Sequence, residues 1–212
     1  MAAARRFFQK RVGFPARCFS DRANSTPLSR LLPYQRLGVE RLVQSKRLLL
    51  GDEMGLGKTA QIVVAIDVLR KEKMSEDMTV MIGVPKRLIP GWKTELNEWL
   101  ESPFTLNIVT PRSFPRPSKG LTIYLINYEI CHKWRDELHK HVYDVLICDE
   151  AHYLKTQKSK RTLAVLGSSK GTGIPAKKFW PVTGTPVLNR PSGPIQKLRR
   201  VCQAILQRQR DS

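Results

Sequence analysis

Acidic residues are scarce in this chain of 212 residues: 18 Asp and Glu stand against 37 Lys and Arg, a formal charge of +19. Such an excess favours polyanionic partners, nucleic acid first, because neutralising phosphates releases counterions. Seven basic residues and one acid fall within residues 1–30, so a basic tail accounts for only part of the bias. Cysteine is sparse as well. Cys18, Cys131, Cys148 and Cys202 show neither C-x-x-C nor Cys/His spacing, which argues against structural zinc and for a reducing compartment. Nothing approaches the roughly 18 consecutive apolar residues of a membrane span, and no internal repeat is present. The length suits one well-packed α/β domain plus tails and is short for two.

Acid is missing altogether from residues 1–20. There Arg5, Arg6, Lys10, Arg11 and Arg17 are interleaved with Phe7, Phe8, Val12, Phe14 and Phe19. A basic, acid-poor, amphipathic leader fits a mitochondrial presequence, and Arg17-Cys18-Phe19-Ser20 resembles a presequence cleavage pattern. A disordered basic tail and a mis-assigned start codon are the competing readings. Residues 1–30 are therefore taken as leader and linker.

What the chain does have is a glycine-punctuated loop. The apolar run Leu48-Leu49-Leu50 leads into Gly51-Asp52-Glu53-Met54-Gly55-Leu56-Gly57-Lys58-Thr59, and the apolar segment Gln61 to Leu69 follows at helical period. A strand, a glycine loop and a helix in that order suit a nucleoside triphosphate. Loop N–H groups and the helix N-terminus meet the phosphates. Lys58 can reach the outer phosphates, and the Thr59 hydroxyl can ligate Mg²⁺. Asp52 stands where the generic pattern has Gly. About ninety residues further on, the apolar strand Val142 to Cys148 ends in Asp149-Glu150-Ala151-His152. A carboxylate there can hold Mg²⁺ and its neighbour can polarise the attacking water, which assigns Asp149 and Glu150 in that order. The plain alternative is a pair of solvated acids capping the next helix.

Between these points the pattern alternates. Helices are expected over Tyr34 to Ser45, around Trp92, Leu96, Trp99 and Leu100, and along Ile130, Trp134 and Leu138. Strands are expected at 47–50, 79–84, 104–109, 121–126 and 177–182, the last irregular or at an edge because of Pro181. Trp92 and Trp99 read as core anchors rather than stacking platforms. Alternating strands and helices imply a mainly parallel sheet covered on both faces. Lys155 to Arg161 is a basic patch, and residues 194–210 form a basic helix candidate.

Together these residues resemble the first RecA-like lobe of Swi/Snf-type translocases in helicase superfamily two, most of all the annealing-helicase branch. The resemblance covers residues 31–198 and leaves 199–212 as a basic tail. It implies a three-layer α/β P-loop NTPase lobe with ATP and Mg²⁺ as cofactors, and DNA, duplex or forked, as partner. Asp52 to Thr59 is similar to the family's phosphate loop, so Asp52, Glu53, Met54, Gly55, Leu56, Gly57, Lys58 and Thr59 are implied in nucleotide binding. Gln35, in Leu32-Pro33-Tyr34-Gln35, matches the adenine-selecting position. Val84 to Trp92, with Lys86 and Arg87, resembles motif Ia, and Ile126-Asn127-Tyr128-Glu129 resembles motif Ib; both line the DNA track in relatives. Asp149-Glu150-Ala151-His152 matches the DEAH motif. Thr183-Gly184-Thr185-Pro186 matches motif III, and with His152 it is implied in coupling the cleft to DNA. Such motors close their cleft with a second lobe that supplies arginine fingers, and nothing after residue 198 is long enough to be one. The expectation is a half-motor that turns ATP over poorly unless a second lobe is supplied in trans. A non-catalytic nucleotide- or DNA-binding module or truncated gene product, and a DEAH-box RNA helicase fragment, are the rival readings.

The leader generates the first prediction. Residues 1–30 fused to a fluorescent protein should carry it into mitochondria, with a mature end near Ser20. A diffuse or nuclear signal would favour the basic-tail reading.

Overall fold

The computed structural model describes residues 26–53, 55–73, 76–156, 158–168 and 173–184. Most of the leader, Met54, Thr185 and the basic tail lie outside them. The short helix α1 (Pro27–Arg30) precedes α2 (Pro33–Gln44). Pro33 opens α2 with its φ pre-set for the first turn, and the Gln35 side chain reaches back to accept from the Leu32 N–H at 2.8 Å. Next come α3 (Lys58–Lys73), β1 (Met78–Val84), α4 (Ile89–Trp99), β2 (Phe104–Ile108) and β3 (Leu121–Asn127). The series ends with α5 (Arg135–Lys140), β4 (Tyr143–Cys148), α6 (Lys160–Leu166) and β5 (Ala176–Pro181).

The five strands form one sheet in the order β2-β3-β1-β4-β5, and every pairing is parallel. Strands buried on both faces are expected to be apolar throughout, and β3 and β4 are buried at every position. Alternate residues serve opposite layers. Val80, Ile82, Ile123, Val145, Ile147 and Trp180 pack with α2, α3 and α4. Met81, Tyr124, Ile126, Leu146, Cys148 and Phe179 pack with α5 and α6. The helix α3 is apolar almost all round because it is buried from Ala60 to Val68.

Two expectations change. The 47–50 segment runs beside β5 but pairs only at isolated bridges, Arg47 with Phe179 and Leu50 with Val182. The reason is Pro181. The N–H groups of Phe179 and Thr183 donate to Lys46 and Leu50 carbonyls at 2.8 and 3.1 Å, and Pro181, between them, has no N–H to give. The continuous helix expected through Ile130, Trp134 and Leu138 starts instead as a 3₁₀ turn, Cys131–Trp134. There the Trp134 indole N–H donates to the Thr110 carbonyl at 2.8 Å. Trp92 is buried as expected, whereas Trp99 is only partly covered, beneath the Arg30 guanidinium 4.3 Å from its ring.

At the N-terminal edge of the sheet, Asp144 joins four elements. It accepts from Lys73 at the end of α3 (2.6 Å), from the Thr79 N–H in β1 (2.8 Å) and from Lys177 in β5 (3.0 Å). Burial alone would push its carboxyl up, but these hydrogen bonds outweigh it and hold the group below its ordinary value. A depressed folded value means stability that is full above the unfolded value of about 3.9 and lost as pH falls through the folded one. Asp144→Ala should therefore cost about 2–3 kcal/mol at neutral pH and remove part of the acid sensitivity below about pH 4. Urea unfolding across pH measures both effects; an unchanged midpoint would contradict this role.

Candidate nucleotide-binding site

Parallel pairing sends the C-terminal ends of all strands to one edge, the usual place for ligands in open α/β sheets. The segments that meet there are the loop after Leu50, the turn after β1, the turn after β3, the end of β4 and the end of β5. Hydrogen bonds tie them together. Asp149 N–H donates to Gly83 O at 2.9 Å, Ala151 N–H to Val182 O at 2.7 Å, and Thr183 N–H to Leu50 O at 3.1 Å. The Thr183-Gly184 segment thus lies between the phosphate-loop strand and the acidic motif.

The loop itself is shaped by glycine. Gly55 and Gly57 have φ of 84° and 67°, values that side chains other than glycine rarely adopt. A Cβ on Gly57 would sit 2.4 Å from Gln35 Nε2, whereas Gly51 and Gly55 face open space. Asp52 is held by Gln61, whose amide donates to its carboxylate at 3.2 Å, which gives this acid a structural partner at the generic Gly position. Lys58 donates to the main-chain carbonyls of Asp52 (2.9 Å) and Glu53 (2.7 Å). Gln35 donates to the Leu56 carbonyl at 3.2 Å. Thr59 lies half-buried in the first turn of α3, and Glu53 and Leu56 are exposed on the loop. The first turn of α3 carries no acid, and its last turn carries Arg70, Lys71 and Lys73. Charge therefore complements the helix dipole at one end and leaves the other open to an anion.

Asp149 is the most constrained group. Its Oδ2 accepts from the Trp92 indole at 2.8 Å and its Oδ1 from the Glu150 N–H at 2.8 Å. Its carbonyl accepts from the Tyr128 hydroxyl at 2.6 Å. Burial pushes its carboxyl above the usual carboxylate range; the Trp92 and Glu150 hydrogen bonds oppose that, the Glu150 charge adds to it, and the Lys58 ammonium draws it down. Glu150 has φ 47° and ψ 50°, the one left-handed non-glycine among the described residues. The His152 Nδ1 lies 3.1 Å from Glu150 Oε2, but it is buried without a well-aligned hydrogen bond, so the contact is one of proximity. The His152 ring leans on Tyr153, which stacks on Tyr128.

These groups fit a Mg²⁺–triphosphate. The glycine loop opens onto a helix N-terminus, an ammonium rests on loop carbonyls, and a hydroxyl and a carboxylate of suitable type are present. Lys86 and Arg87 are exposed in the 3₁₀ turn Lys86–Leu88. Asn127 and Tyr128, expected along a DNA track, are covered. They are 9% and 0% exposed, so neither side chain offers a surface to DNA. The Asn127 side chain instead accepts from the Ile130 N–H in the turn, at 3.3 Å. The Trp92 contact with Asp149 was not foreseen, although a buried indole N–H usually finds an acceptor.

Fold and site define a RecA-like α/β lobe with a glycine loop and an acidic strand end facing one another. A profile of the SNF2-related domain matches residues 34–209, and the chain belongs to that family. It is 34% identical over 175 residues to the bovine SWI/SNF-related matrix-associated actin-dependent regulator of chromatin subfamily A-like protein 1, covering 81% of this chain and 17% of that protein. It is 29% identical over 170 residues to the human DNA annealing helicase and endonuclease ZRANB3, covering 77% of this chain and 15% of that protein. Among solved structures, the Sulfolobus solfataricus SWI2/SNF2 ATPase core in complex with dsDNA superposes with a TM-score of 0.65 at 22% identity, covering 82% of this chain and 35% of that one. This last likeness is one of fold.

The left-handed backbone at Glu150 makes a prediction about stability. Glu150→Gly should be more stable than Glu150→Ala by about 1 kcal/mol, because only glycine occupies that region without a Cβ clash. Denaturant midpoints compare the two; equal midpoints would show the backbone there to be unstrained.

Proposed function

We propose that this chain is the ATP-binding, DNA-associated lobe of a Swi/Snf-type translocase of the annealing-helicase kind. The observation that carries this reading is the hydrogen-bonded junction at one sheet edge between Leu50, which leads into the glycine loop, Val182-Thr183, and Ala151 of the acidic motif, within the SNF2-related family. Lys58 and the N–H groups of residues 55–59 would bind the phosphates, and Gln35, beside Leu56, would face adenine. Thr59 and Asp149 would hold Mg²⁺, which supplies positive charge against the phosphate oxygens. Glu150 would orient the attacking water, and His152 with residues 183–185 would couple the cleft to DNA. Exposed Lys86 and Arg87, with the Lys155 to Arg161 patch, would meet duplex phosphates.

The bovine and human relatives are several times longer than the matched stretch. Hydrolysis coupled to movement along duplex or forked DNA is therefore proposed for an assembly in which a second RecA-like lobe closes the cleft, in the same protein or in trans. The arginine that faces the γ-phosphate would come from that second lobe, and losing such a group costs about 10³–10⁵ in turnover in comparable systems. The basic leader supports import into mitochondria as the site of action.

Calorimetry should show weak binding of Mg·ATP that Lys58→Ala abolishes; equal heats for the two would overturn the reading. Duplex binding should weaken with salt along a slope of log K on log salt no steeper than about −4.5, the value for five phosphate contacts. Phosphate release by the chain alone should be negligible. DNA-stimulated turnover of about one per second, lost in Glu150→Gln, would show that this lobe needs no partner.

A further inference from the structure

Two aromatic side chains from different segments end on the same residue. Trp92 belongs to α4, just after the Lys86–Leu88 turn, and Tyr128 follows β3 directly. The indole N–H meets the Asp149 carboxylate, and the phenol O–H meets the Asp149 carbonyl. Both residues are buried, at 2% and 0% exposure. Space for the second is prepared in β1: a Cβ on Gly83 would lie 2.9 Å from Tyr128 Cε1. The same Gly83 accepts the Asp149 N–H at 2.9 Å. Asp149 is thus gripped at its N–H, its carbonyl and both carboxylate oxygens.

Bulk alone does not account for this. A tryptophan buried to fill space need meet no acceptor: the Trp180 indole N–H, at 0% exposure, has no hydrogen-bond partner among the described residues, and the half-buried Trp134 donates to a main-chain carbonyl. Trp92 instead donates to the one acid that ends β4. An aspartate χ2 torsion is soft and has no sharp staggered wells, so an unrestrained carboxylate would sample many orientations. A neutral donor on Oδ2 and a main-chain donor on Oδ1 select one of them. They add no competing positive charge, and each oxygen keeps a lone pair for a cation. Tyr128 fixes the backbone beneath.

We propose that Trp92 and Tyr128 are positioning residues for the Mg²⁺-holding carboxylate, the indole setting its orientation and the phenol the path of the main chain. The inference rests on the proposed function in taking Asp149 as the Mg²⁺ ligand. It differs from the expectation for these aromatics, which made Trp92 a core anchor and Tyr128 part of a DNA track.

The test measures ATP affinity by calorimetry with the full chain, across a Mg²⁺ titration and again in EDTA. Trp92→Phe keeps a ring and deletes the donor; Tyr128→Phe deletes one hydroxyl. Partners of metal ligands change metal affinity by about 10–100-fold. Trp92→Phe should therefore raise the Mg²⁺ needed for half-maximal ATP binding about tenfold and leave affinity in EDTA within about twofold. Tyr128→Phe should shift the Mg²⁺ requirement in the same direction by a smaller factor, and it carries the test if Trp92→Phe does not fold. An unchanged Mg²⁺ requirement, or equal weakening with and without Mg²⁺, would reduce both residues to packing and overturn the inference while the proposed function stands. Wild-type chain that binds no ATP in either medium would overturn both.

Discussion

A carboxylate buried at the end of β4 is the constraint to which the rest of the sheet edge answers. Desolvation drives the Asp149 carboxyl toward its neutral form, and an isolated charge in such a place would be costly. The surrounding fold compensates the charge with the Trp92 indole from α4, the Glu150 N–H and the ammonium of Lys58, while the Tyr128 hydroxyl after β3 and the Gly83 carbonyl in β1 hold the Asp149 main chain. Each donor requires its own element to end at the right height. With β1 between β3 and β4, Gly83 is the residue that leaves room for Tyr128 to reach Asp149.

The opposite edge is organised by a second acid under contrary conditions. Asp144 is also buried, but two ammonium groups and an N–H hold its carboxyl below the ordinary value. One strand, β4, thus carries a stabilised carboxylate at its start and a destabilised one just past its end. The first joins α3, β1 and β5 for stability; the second is the group proposed to hold Mg²⁺. A destabilised, reactive group at the ligand edge and a stabilised one at the other is a division common in α/β proteins.

The matched stretch is a small share of its longer relatives, yet it contains a whole sheet with both faces covered. The Swi/Snf comparison therefore speaks to an entire lobe rather than to scattered motifs. The hydrolysis proposed for it would be completed by a second surface across a cleft, which would neutralise the charge building on the transferred phosphoryl group.

Local order was legible in the sequence. The apolar helix after Lys58 and the apolar strand leading to Asp149 are determined by neighbouring residues and hydrogen-bonding period alone, and both form where the pattern put them. So does the parallel sheet, since β-helix alternation allows little else. Pro181 also spoke truly of an irregular edge, but not that the missing N–H would break the pairing of 47–50. Only the tertiary structure decided which strand ends stand side by side, and with them the partners of Asp149. Trp92 is 57 residues from Asp149 in the chain and Tyr128 is 21. A side chain's burial can be guessed from its type, whereas the acceptor for its one polar atom depends on strand order and register, which no local pattern carries. The same holds for Asn127 and Tyr128: their place after a strand was readable, and their burial beneath the neighbouring turn was settled by packing.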